Sequence, residues 1–377
     1  MKLIIVGGHL SPALAVIEAL PKDAEVLFVG RKYTFEGDKS TSLEYNTIKD
    51  LKIPFASIST GRLQRKFTRY TIPSIFKIPY GFVQSFLILH KFKPDIVLSF
   101  GGYLSIPIGL SAFFLRIPIV IHEQTFEVGL SNRVLSIFAK KICISWETSR
   151  KFFSKEKTIL TGNPIRTCHA EFISTSRETL KQVQGDKKKN MPIIYITGGS
   201  GGSHFINTLV EGCIKELLEK FIVIHQTGDA KEYGDFERLS LFKETLPVKF
   251  RARYYLTKFV DPREVGSILD IADLVVSRSG INTITELIFF EKPSLLIPLP
   301  YSQNNEQVKN ALFLKEKGLG EICYQGKNDR SEFIKTLNTM FDNLDKYRAK
   351  YKLSELINKD AAKKIIDVVY YEAEHKK

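Results

Sequence analysis

Residues 192–212, PIIYITGGSGGSHFINTLVEG, combine a predicted strand, a glycine-rich turn and a predicted helix. The apolar run PIIYIT leads into a turn at residues 198–203, and HFINTLV continues with helical spacing. Glycines allow the backbone to approach a ligand closely, and the free N–H groups at a helix start favour an anion. With the Ser200 hydroxyl, this turn can hold a diphosphate. No Gly-Lys-Ser/Thr follows, so the turn is not a Walker A loop and magnesium-dependent phosphoryl transfer is unsupported.

Two further strand-to-helix turns carry paired glycines. Gly7-Gly8-His9 follows KLIIV (2–6), and Gly101-Gly102-Tyr103 follows PDIVLSF (94–100). The first turn lacks G-x-G-x-x-G, which disfavours a dinucleotide site. His9 lies where a strand ends and could act as a general base, although a single histidine in a sequence is more often structural. Three glycine turns at strand ends favour phosphate chemistry over a purely structural role.

The alternation of apolar strands and helices continues along nearly the whole chain, which predicts an α/β fold of parallel sheets covered on both faces. Two such series in 377 residues predict two doubly wound domains with ligands at the carboxyl ends of the strands. We expect domains at 1–162 and 163–352, with a helix at 353–377 packing back on the first. Residues 167–191 are polar and read as a connecting or inserted segment. The predicted strands are 2–6, 24–30, 94–100, 117–123, 140–145, 157–162, 192–197, 221–227, 272–277 and 293–299, and the predicted helices include 12–20, 106–115, 204–220 and 282–290.

The composition excludes several classes of protein. Apolar residues make up 44% and charged residues 25%, as in an ordinary globular protein. The four cysteines form no C-x-x-C pair, so a zinc ribbon and a disulfide scaffold are both disfavoured and a reducing cytosol fits best. No stretch reaches about 18 uninterrupted apolar residues, so no membrane span is expected. The apolar start of the chain is too short for a signal peptide.

The net charge of +14 is concentrated in the first half of the chain. Residues 51–94 contain eight basic residues and no acidic one, and segment 62–82 mixes these cations with aromatic side chains. This mixture suits an anionic membrane surface, where cations meet headgroups and rings lie at the interface. It could also bind nucleic acid, or be a solvated basic face beside core aromatics.

Two segments of the second half have the chemistry of nucleotide and sugar contacts. Residues 278–286, RSGINTITE, form a strand end, a turn and the start of a helix whose N–H groups could hold phosphate. Glu286 could accept both hydroxyls of a ribose, or it could simply favour the helix dipole. Residues 301–307, YSQNNEQ, make an amide-rich loop suited to sugar hydroxyls, or a polar helix cap.

His122-Glu123-Gln124, followed by GLSNR at 129–133, resembles a segment of the MurG family, glycosyltransferase family 28. Members move GlcNAc from UDP-GlcNAc to a lipid-linked muramyl-pentapeptide. The other matching motifs follow in order, and the resemblance spans about residues 1–370. They are GGHLSPALAV (7–16), FGGYLSIP (100–107), GNPIR (162–166), GGSGGSHFIN (198–207), RSGINTITE (278–286) and NNEQVKNA (304–311). The resemblance implies a GT-B fold, two doubly wound Rossmann-like domains facing a cleft, with no metal and no cofactor beyond the donor substrate.

The resemblance also implies roles for individual residues. The diphosphate would meet Arg166 and Ser200, uracil the backbone near Val260, ribose Glu286, and the GlcNAc hydroxyls Gln307. His9 would be the catalytic base, taking the proton of the acceptor hydroxyl in an inverting transfer. The implied donor-binding set is Gly7, Gly8, Thr125, Arg166, Ser200, Val260, Ile281, Asn282, Thr283, Ile284, Thr285, Glu286 and Gln307. The implied acceptor-binding set is Gly102, Tyr103, His122 and Glu123.

Three departures from the family pattern bear on the substrates. The first loop is shorter than G-G-T-G-G-H, Thr125 replaces an asparagine expected to touch the sugar, and Glu306 replaces a histidine. Alternatives are therefore a related enzyme with another glycolipid acceptor, a UDP-sugar epimerase, or a basic membrane-binding protein without activity. The family's location implies docking on the cytoplasmic face of the membrane through segment 62–82, with an undecaprenyl-linked acceptor and no nucleic acid.

Overall fold

In the computed structural model, two compact units divide the chain. The first comprises Met1–Ile165 and Asn358–Lys377, and the second comprises Arg166–Ile357. The structure describes residues 1–33, 41–61, 71–166, 191–199, 201–228, 233–262, 264–326, 329–347 and 357–375.

The first unit is built on a seven-stranded parallel sheet with the order β3-β2-β1-β4-β5-β6-β7. Its strands are β1 (Lys2–Val6), β2 (Glu25–Gly30), β3 (Phe55–Ser57), β4 (Ile96–Ser99), β5 (Ile119–Glu123), β6 (Lys141–Ile144) and β7 (Thr158–Leu160). Its helices are α1 (Leu10–Ala19), α2 (Leu43–Asp50), α3 (Thr71–Phe92), α4 (Ser105–Phe114), α5 (Leu130–Leu135), a 3-10 turn at Glu147–Phe152, and the C-terminal helix Ala361–Glu374.

The central strands of this sheet are apolar throughout because helices cover both faces. On one face, Leu14 of α1 and Ile365 of the C-terminal helix belong to the same buried cluster as Leu3 and Ile5. On the other face, Ile108 of α4 packs in a second cluster with the neighbouring β1 residues. Strand side chains alternate between the two faces, so a strand in the middle layer needs an apolar residue at nearly every position.

The second unit has a six-stranded parallel sheet with the order β10-β9-β8-β11-β12-β13. Its strands are β8 (Ile193–Thr197), β9 (Ile222–Gln226), β10 (Tyr254–Thr257), β11 (Leu274–Ser277), β12 (Ser294–Leu296) and β13 (Gly320–Ile322). Its helices are α6 (His204–Lys220), α7 (Asp235–Glu244), α8 (Val248–Arg251), α9 (Val265–Ile271), α10 (Ile281–Phe289), α11 (Glu306–Glu316) and α12 (Asp329–Phe341), with 3-10 turns at Gln303–Asn305 and Leu344–Lys346.

Helix α6 begins where the sequence predicts it, directly after the third glycine turn. The hydroxyl of Ser203 caps it by accepting the N–H of Ile206 at 3.4 Å, which satisfies one of the free donors of the first turn. Apolar side chains recur every three or four positions along the helix and are buried against the sheet. The start of α6 is therefore held at the carboxyl end of β8.

Each sheet reverses its strand order once, between β1 and β4 in the first unit and between β8 and β11 in the second. At such a point, the connections after the two neighbouring strands leave toward opposite faces, and a crevice opens beyond the strand ends. All three glycine turns and the segment 278–286 follow one of these four strands. The glycine motifs and the sheet topology therefore both predict ligand sites at the two switch points.

The predicted doubly wound α/β architecture is confirmed, and all ten predicted strands are present with boundaries shifted by at most a few residues. The sequence missed the sheet-edge strands β3, β10 and β13, which are short. The C-terminal helix begins at Ala361, later than the expected 353, although residues 353–356 lie outside the described part of the chain. Within the described residues, none of the helices has the length and apolar character needed to cross a membrane.

Candidate active site

The first and second glycine turns touch each other at the switch point of the first unit. A Cβ placed on Gly8 would lie 2.3 Å from the carbonyl oxygen of Gly101, and one on Gly102 would lie 3.1 Å from the Cα of Gly8. Gly101 and Gly102 also have positive φ angles of 83° and 81°. Only glycine permits this close approach, so the turns form one continuous surface at the strand ends.

His9 is the residue that precedes α1, and its side chain does not cap the helix. The imidazole keeps partial access to solvent, but surrounding atoms desolvate it and lower its pKa to about 4. It is therefore neutral near pH 7 and can accept a proton. His9 lies near enough to His122 that charge on it disfavours protonation of His122. The structure thus brings together His9, Gly8 and the second glycine turn.

His122 and Glu123, expected at the acceptor pocket, are buried at the end of β5. His122 Nε2 lies 3.1 Å from the carbonyl oxygen of Gly162 and 3.2 Å from the Ser145 hydroxyl, and burial lowers the pKa of the ring to about 4. Glu123 Oε2 accepts the N–H of Gly129 at 3.1 Å. These two side chains hold the strand end and the following loop in place.

Thr125 is expected to touch the donor sugar, but its hydroxyl forms hydrogen bonds inside the protein. Its N–H and its Oγ1 donate to Glu123 Oε1 at 3.0 and 2.7 Å, and Oγ1 also contacts the Glu127 carbonyl. Asn132 donates to Glu123 Oε2 at 3.0 Å and packs beside Gly101. The 123–132 loop is therefore a buried network that supports the second glycine turn.

The sequence reasoning missed Glu44 and Arg31, which lie beside the first glycine turn. A Cβ on Gly7 would lie 2.0 Å from Glu44 Oε1, so the carboxyl group packs directly against that glycine. Glu44 Oε2 accepts the N–H of Arg31 at 3.0 Å, and burial raises the pKa of Glu44. The Arg31 guanidinium lies over the Tyr103 ring at 5.9 Å from its centroid. The aromatic ring of the second turn is thus paired with a cation.

In the second unit, the third glycine turn packs against the turn after β9. A Cβ on Gly202 would lie 2.3 Å from the Thr227 carbonyl oxygen, and Gly202 has a φ of 73°. Gly199, with a φ of 82°, donates its N–H to Thr197 Oγ1 at 2.9 Å. Ser200 lies outside the described residues. The described part of the turn has the open, glycine-rich backbone expected of an anion-binding loop.

Arg278 joins the two switch-point turns of the second unit, and the sequence analysis did not single it out. Its Nη2 donates to Ser203 Oγ at 2.8 Å, and its Nη1 donates to the carbonyl oxygen of Ile297 at 3.0 Å and to Gln325 Oε1 at 3.2 Å. Burial lowers the pKa of Arg278 to about 10. No carboxylate pairs with Arg278 among the residues that the structure describes. A desolvated cation without a counter-charge, beside a glycine turn, is suited to an anionic ligand.

Helix α10 begins at this switch point and presents its first N–H groups there. Ile281, Ile284 and Thr285 point into the core, whereas Asn282 and Thr283 are partly exposed. The side chains of Ile281, Ile284 and Thr285 are therefore not available to a ligand, whereas the backbone of the turn is.

Glu286 is partly exposed on α10, one turn into the helix. It lies close to Tyr195 of β8, whose phenol pKa is raised by burial and further by the Glu286 charge. The contact of Glu286 with a ribose stays a prediction.

Gln307 lies after β12 and Val260 lies after β10, two strands that are separated by three others in the second sheet. The Gln307 Oε1 accepts the N–H of Leu299 at 2.9 Å, and its main-chain carbonyl accepts the Ser279 hydroxyl at 2.7 Å. Because Oε1 is already bonded, a sugar hydroxyl can meet the side chain of Gln307 at its amide nitrogen. Val260 is buried beyond the end of β10, so a ligand would meet its backbone.

Arg166 is the first residue of the second unit and is partly buried in the loop after β7. Its expected partner Ser200 falls outside the described residues, so the diphosphate pair of the sequence analysis stays a prediction. Over the described ranges, no group of three or more His, Cys, Asp or Glu side chains is arranged to hold a metal ion.

Comparison with known proteins matches both units. Residues 6–144 match the glycosyltransferase family 28 N-terminal domain, and residues 193–368 match the C-terminal domain. A relative from Treponema denticola is 34% identical over 342 residues, which cover 89% of this chain and 85% of the relative. A relative from Clostridium tetani is 31% identical over 378 residues, with 98% of both chains covered. Both are named UDP-N-acetylglucosamine--N-acetylmuramyl-(pentapeptide) pyrophosphoryl-undecaprenol N-acetylglucosamine transferase.

Solved structures share the fold at lower identity. Acinetobacter baumannii MurG aligns with a TM-score of 0.66 and 24% identity, covering 98% of this chain and 99% of the other. A UDP-GlcNAc 2-epimerase from Neisseria meningitidis, solved with UDP-GlcNAc bound, aligns with a TM-score of 0.66 and 15% identity, covering 98% and 100%. At these identities the likeness concerns the fold alone, which is the two-domain GT-B architecture.

Proposed function

Because the chain belongs to glycosyltransferase family 28, we propose that it transfers N-acetylglucosamine from UDP-GlcNAc to undecaprenyl-pyrophosphoryl-linked N-acetylmuramyl-pentapeptide. The observation that carries the proposal is Arg278, a desolvated cation without a carboxylate partner in the described chain, held between the two turns of a switch point. The diphosphate of a sugar nucleotide supplies the missing negative charge at this place.

The second unit binds the donor in this proposal. The diphosphate lies against the third glycine turn and the first N–H groups of α10, with Arg278 beside it and Arg166 and Ser200 as further contacts. Glu286 accepts the ribose hydroxyls. The backbone near Val260 faces uracil, and the Gln307 amide nitrogen donates to a GlcNAc hydroxyl.

The first unit supplies the acceptor side and the base. A ring nitrogen of neutral His9 takes the proton of the muramyl C4 hydroxyl while that oxygen attacks the anomeric carbon of GlcNAc. The new glycosidic bond forms as the bond from the anomeric carbon to the phosphate oxygen breaks, so UDP leaves and the anomeric configuration inverts. Arg278 and the helix N–H groups stabilise the charge that develops on UDP. The reaction as proposed uses these protein groups for charge stabilisation and no metal ion or other cofactor.

The described acceptor side has a solvent-facing part and a buried part. Gly102 and Tyr103 are at least partly exposed, and the Arg31 cation lies over the Tyr103 ring, so these groups can meet an anionic acceptor. His122 and Glu123 support this surface from below. We propose that these buried residues determine the shape of the acceptor pocket without touching the sugar.

Docking on the cytoplasmic face of the membrane is the second part of the proposal. The helices α3 and α4 pack together and leave large apolar side chains in solvent. They are Tyr80, Val83, Phe86 and Leu87 on α3 and Phe113 and Phe114 on α4. The exposed Lys77 lies on the same helix, and residues 62–70 of the basic segment lie outside the described residues. Exposed apolar groups beside cations suit an anionic lipid surface.

The direct test is transfer of label from UDP-GlcNAc to a short-chain lipid-linked muramyl-pentapeptide, with UDP release followed in parallel. Labelled lipid together with equal UDP release is the expected result. UDP release without labelled lipid would point to hydrolysis or another acceptor. Binding of UDP-GlcNAc with neither product would contradict the proposed acceptor.

A further inference from the structure

The carboxyl group of Glu44 lies in a space that two glycines leave open at the ends of neighbouring strands. Gly7 directly follows β1, and Gly30 is the last residue of β2. A Cβ on Gly7 would lie 2.0 Å from Glu44 Oε1, and a Cβ on Gly30 would lie 2.6 Å from Glu44 Oε2. A side chain at either position would therefore displace the carboxyl group from the strand ends of the first unit.

The side chain of Glu44 is not what caps its own helix, α2. The hydroxyl of Ser42 does so by accepting the N–H of Tyr45 at 3.1 Å. Glu44 reaches back to the sheet instead, where Oε2 accepts the N–H of Arg31 at 3.0 Å. The buried ring of Phe28 packs beside the same two glycines, and these surroundings desolvate the carboxyl group and raise the pKa of Glu44.

The second oxygen of Glu44 is available to another molecule. Within the described part of the chain, Oε1 makes no hydrogen bond. Glu44 is partly exposed, and Oε1 is not one of the fully enclosed polar atoms of the described residues. An ionised carboxylate can only accept hydrogen bonds, and a polar atom that has lost part of its hydration is stabilised by a donor. A donor group of a bound ligand is therefore the partner that Oε1 requires.

Two contacts place Glu44 beside the surface that the proposed function assigns to the acceptor. On one side the carboxyl group touches Gly7, which begins the first glycine turn and lies two residues before the proposed base His9. On the other side Glu44 accepts the N–H of Arg31, whose guanidinium lies over the Tyr103 ring of the second glycine turn. Glu44 is thus connected to both glycine turns of the first unit.

We propose that Glu44 binds the acceptor sugar by accepting a hydrogen bond at Oε1 from a neutral donor, either a hydroxyl group or the acetamido N–H. The inference rests on the proposed function and adds one residue to its acceptor side. Besides the C4 hydroxyl that attacks, the muramyl sugar carries one donor of each kind, the C6 hydroxyl and the C2 acetamido N–H. The acceptor diphosphate would be repelled by a carboxylate, whereas the neighbouring Arg31 cation can meet it.

The test compares transfer of labelled GlcNAc to the short-chain acceptor with transfer to two analogues of that acceptor. One analogue is 6-deoxy in the muramyl sugar, and the other has an ester in place of the acetamido N–H. For the wild type, we expect one of the two analogues to raise the acceptor KM about tenfold, because a hydrogen bond to a charged group is lost. The analogue that does so identifies the donor.

Two variants of Glu44 show whether this donor meets Oε1. In Glu44→Gln, the amide oxygen can keep the Arg31 hydrogen bond, but an amide nitrogen at the Oε1 position cannot accept. This variant should raise the KM of the natural acceptor about tenfold, and the sensitive analogue should cause little further loss. Glu44→Met has a similar length without either oxygen. It should lose the distinction between the acceptors altogether, and it also serves if the glutamine variant folds poorly.

Glu25→Gln is the matched control, because Glu25 lies at the opposite end of β2 and pairs with Lys2 at 3.4 Å on the surface. This variant should behave as the wild type with all three acceptors. The Kd of UDP-GlcNAc should be unchanged in every variant, since the proposed donor site lies in the second unit.

An unchanged acceptor KM in both Glu44 variants would overturn this inference and leave the proposed function standing. A wild type that uses both analogues as well as the natural acceptor would also overturn it. So would equal analogue losses in the wild type and the variants, because Glu44 would then support the first glycine turn without touching the sugar. If the wild type does not transfer GlcNAc to the natural acceptor, the proposed function itself fails.

Discussion

Arg278 Nη2 donates to Ser203 Oγ across 2.8 Å and so ties the turn after β11 to the turn after β8. The two residues are 75 positions apart in sequence, and they meet because β8 and β11 are neighbours in the sheet. The same Ser203 hydroxyl caps α6, so one oxygen orders the helix start and the guanidinium together. The position of the cation is therefore a property of the sheet topology.

Replacement of Arg278 should weaken donor binding. We expect Arg278→Met to raise the Kd of UDP about 10- to 100-fold, because charge-assisted hydrogen bonds of a guanidinium to phosphate are lost. Arg278→Lys should recover only part of the affinity for UDP, since the lysine ammonium cannot reproduce the planar hydrogen-bonding geometry of a guanidinium. The measurement is calorimetric binding of UDP and of uridine to each variant.

Arg330→Met is the matched control for the Arg278 variants, because Arg330 lies in the same unit and pairs with Glu216 at 2.5 Å on the surface. It should bind UDP normally. An Arg278→Met protein that is folded by its thermal transition and binds UDP normally would remove the diphosphate role.

Glu286 should distinguish ribose from deoxyribose. Glu286→Gln is expected to weaken UDP about tenfold, because a carboxylate accepts two hydroxyls better than an amide does. The same variant should bind 2′,3′-dideoxy-UDP no worse than the wild type does. Equal losses for both ligands would assign the effect to the fold of α10 instead of a ribose contact.

His9 should affect turnover and leave donor affinity unchanged. Removal of a general base lowers rates about 100- to 10,000-fold. We expect the kcat of His9→Asn to fall by a factor in that range. The Kd of UDP-GlcNAc should change less than about twofold, because His9 lies in the first unit. His375→Asn serves as the control. Near-normal turnover in His9→Asn would exclude His9 as the base.

The pH dependence of kcat should reflect the low pKa of His9. Burial lowers that pKa to about 4, so the base is already neutral well below pH 6. As the pH falls through this value His9 becomes protonated and kcat drops, whereas above it kcat reaches a plateau. The measurement uses saturating concentrations of both substrates, so that an effect of pH on substrate binding does not change the observed kcat. An acidic limb near the ordinary histidine value of about 6.5 would contradict the burial of His9 in the working enzyme.

Membrane docking should depend on the exposed aromatic residues of α4. Phe114 is 76% exposed, and Phe114→Ser should lower partitioning onto vesicles containing phosphatidylglycerol about tenfold. Leu241 on α7 is 74% exposed, and Leu241→Ser provides a control of similar exposure in the other unit. Transfer to a short-chain acceptor in detergent-free solution should be the same in both variants. Equal vesicle binding by the wild type and Phe114→Ser would exclude α4 from the docking surface.

Much of the fold could be predicted from local pattern. A strand buried on both faces must be apolar at almost every position, and β1, β5 and β8 all have this signature. The edge strands β3, β10 and β13 have three or four residues each, too few to establish a period, and were missed. The glycine turns could also be predicted from the sequence, because a positive φ and close backbone contact both favour glycine.

The sequence alone therefore determined the doubly wound architecture, the glycine turns and the family to which the chain belongs. Only the tertiary structure decided which polar side chains remain available to a ligand. The motif that contains Glu123 and Thr125 predicts substrate contacts for both residues, yet their side chains hydrogen-bond to each other inside the first unit. Arg278 gained its significance from partners far away in the sequence. The physical reason is that hydrogen bonding and desolvation depend on which groups the folded chain brings together, whereas strand and helix patterns depend on neighbours along it.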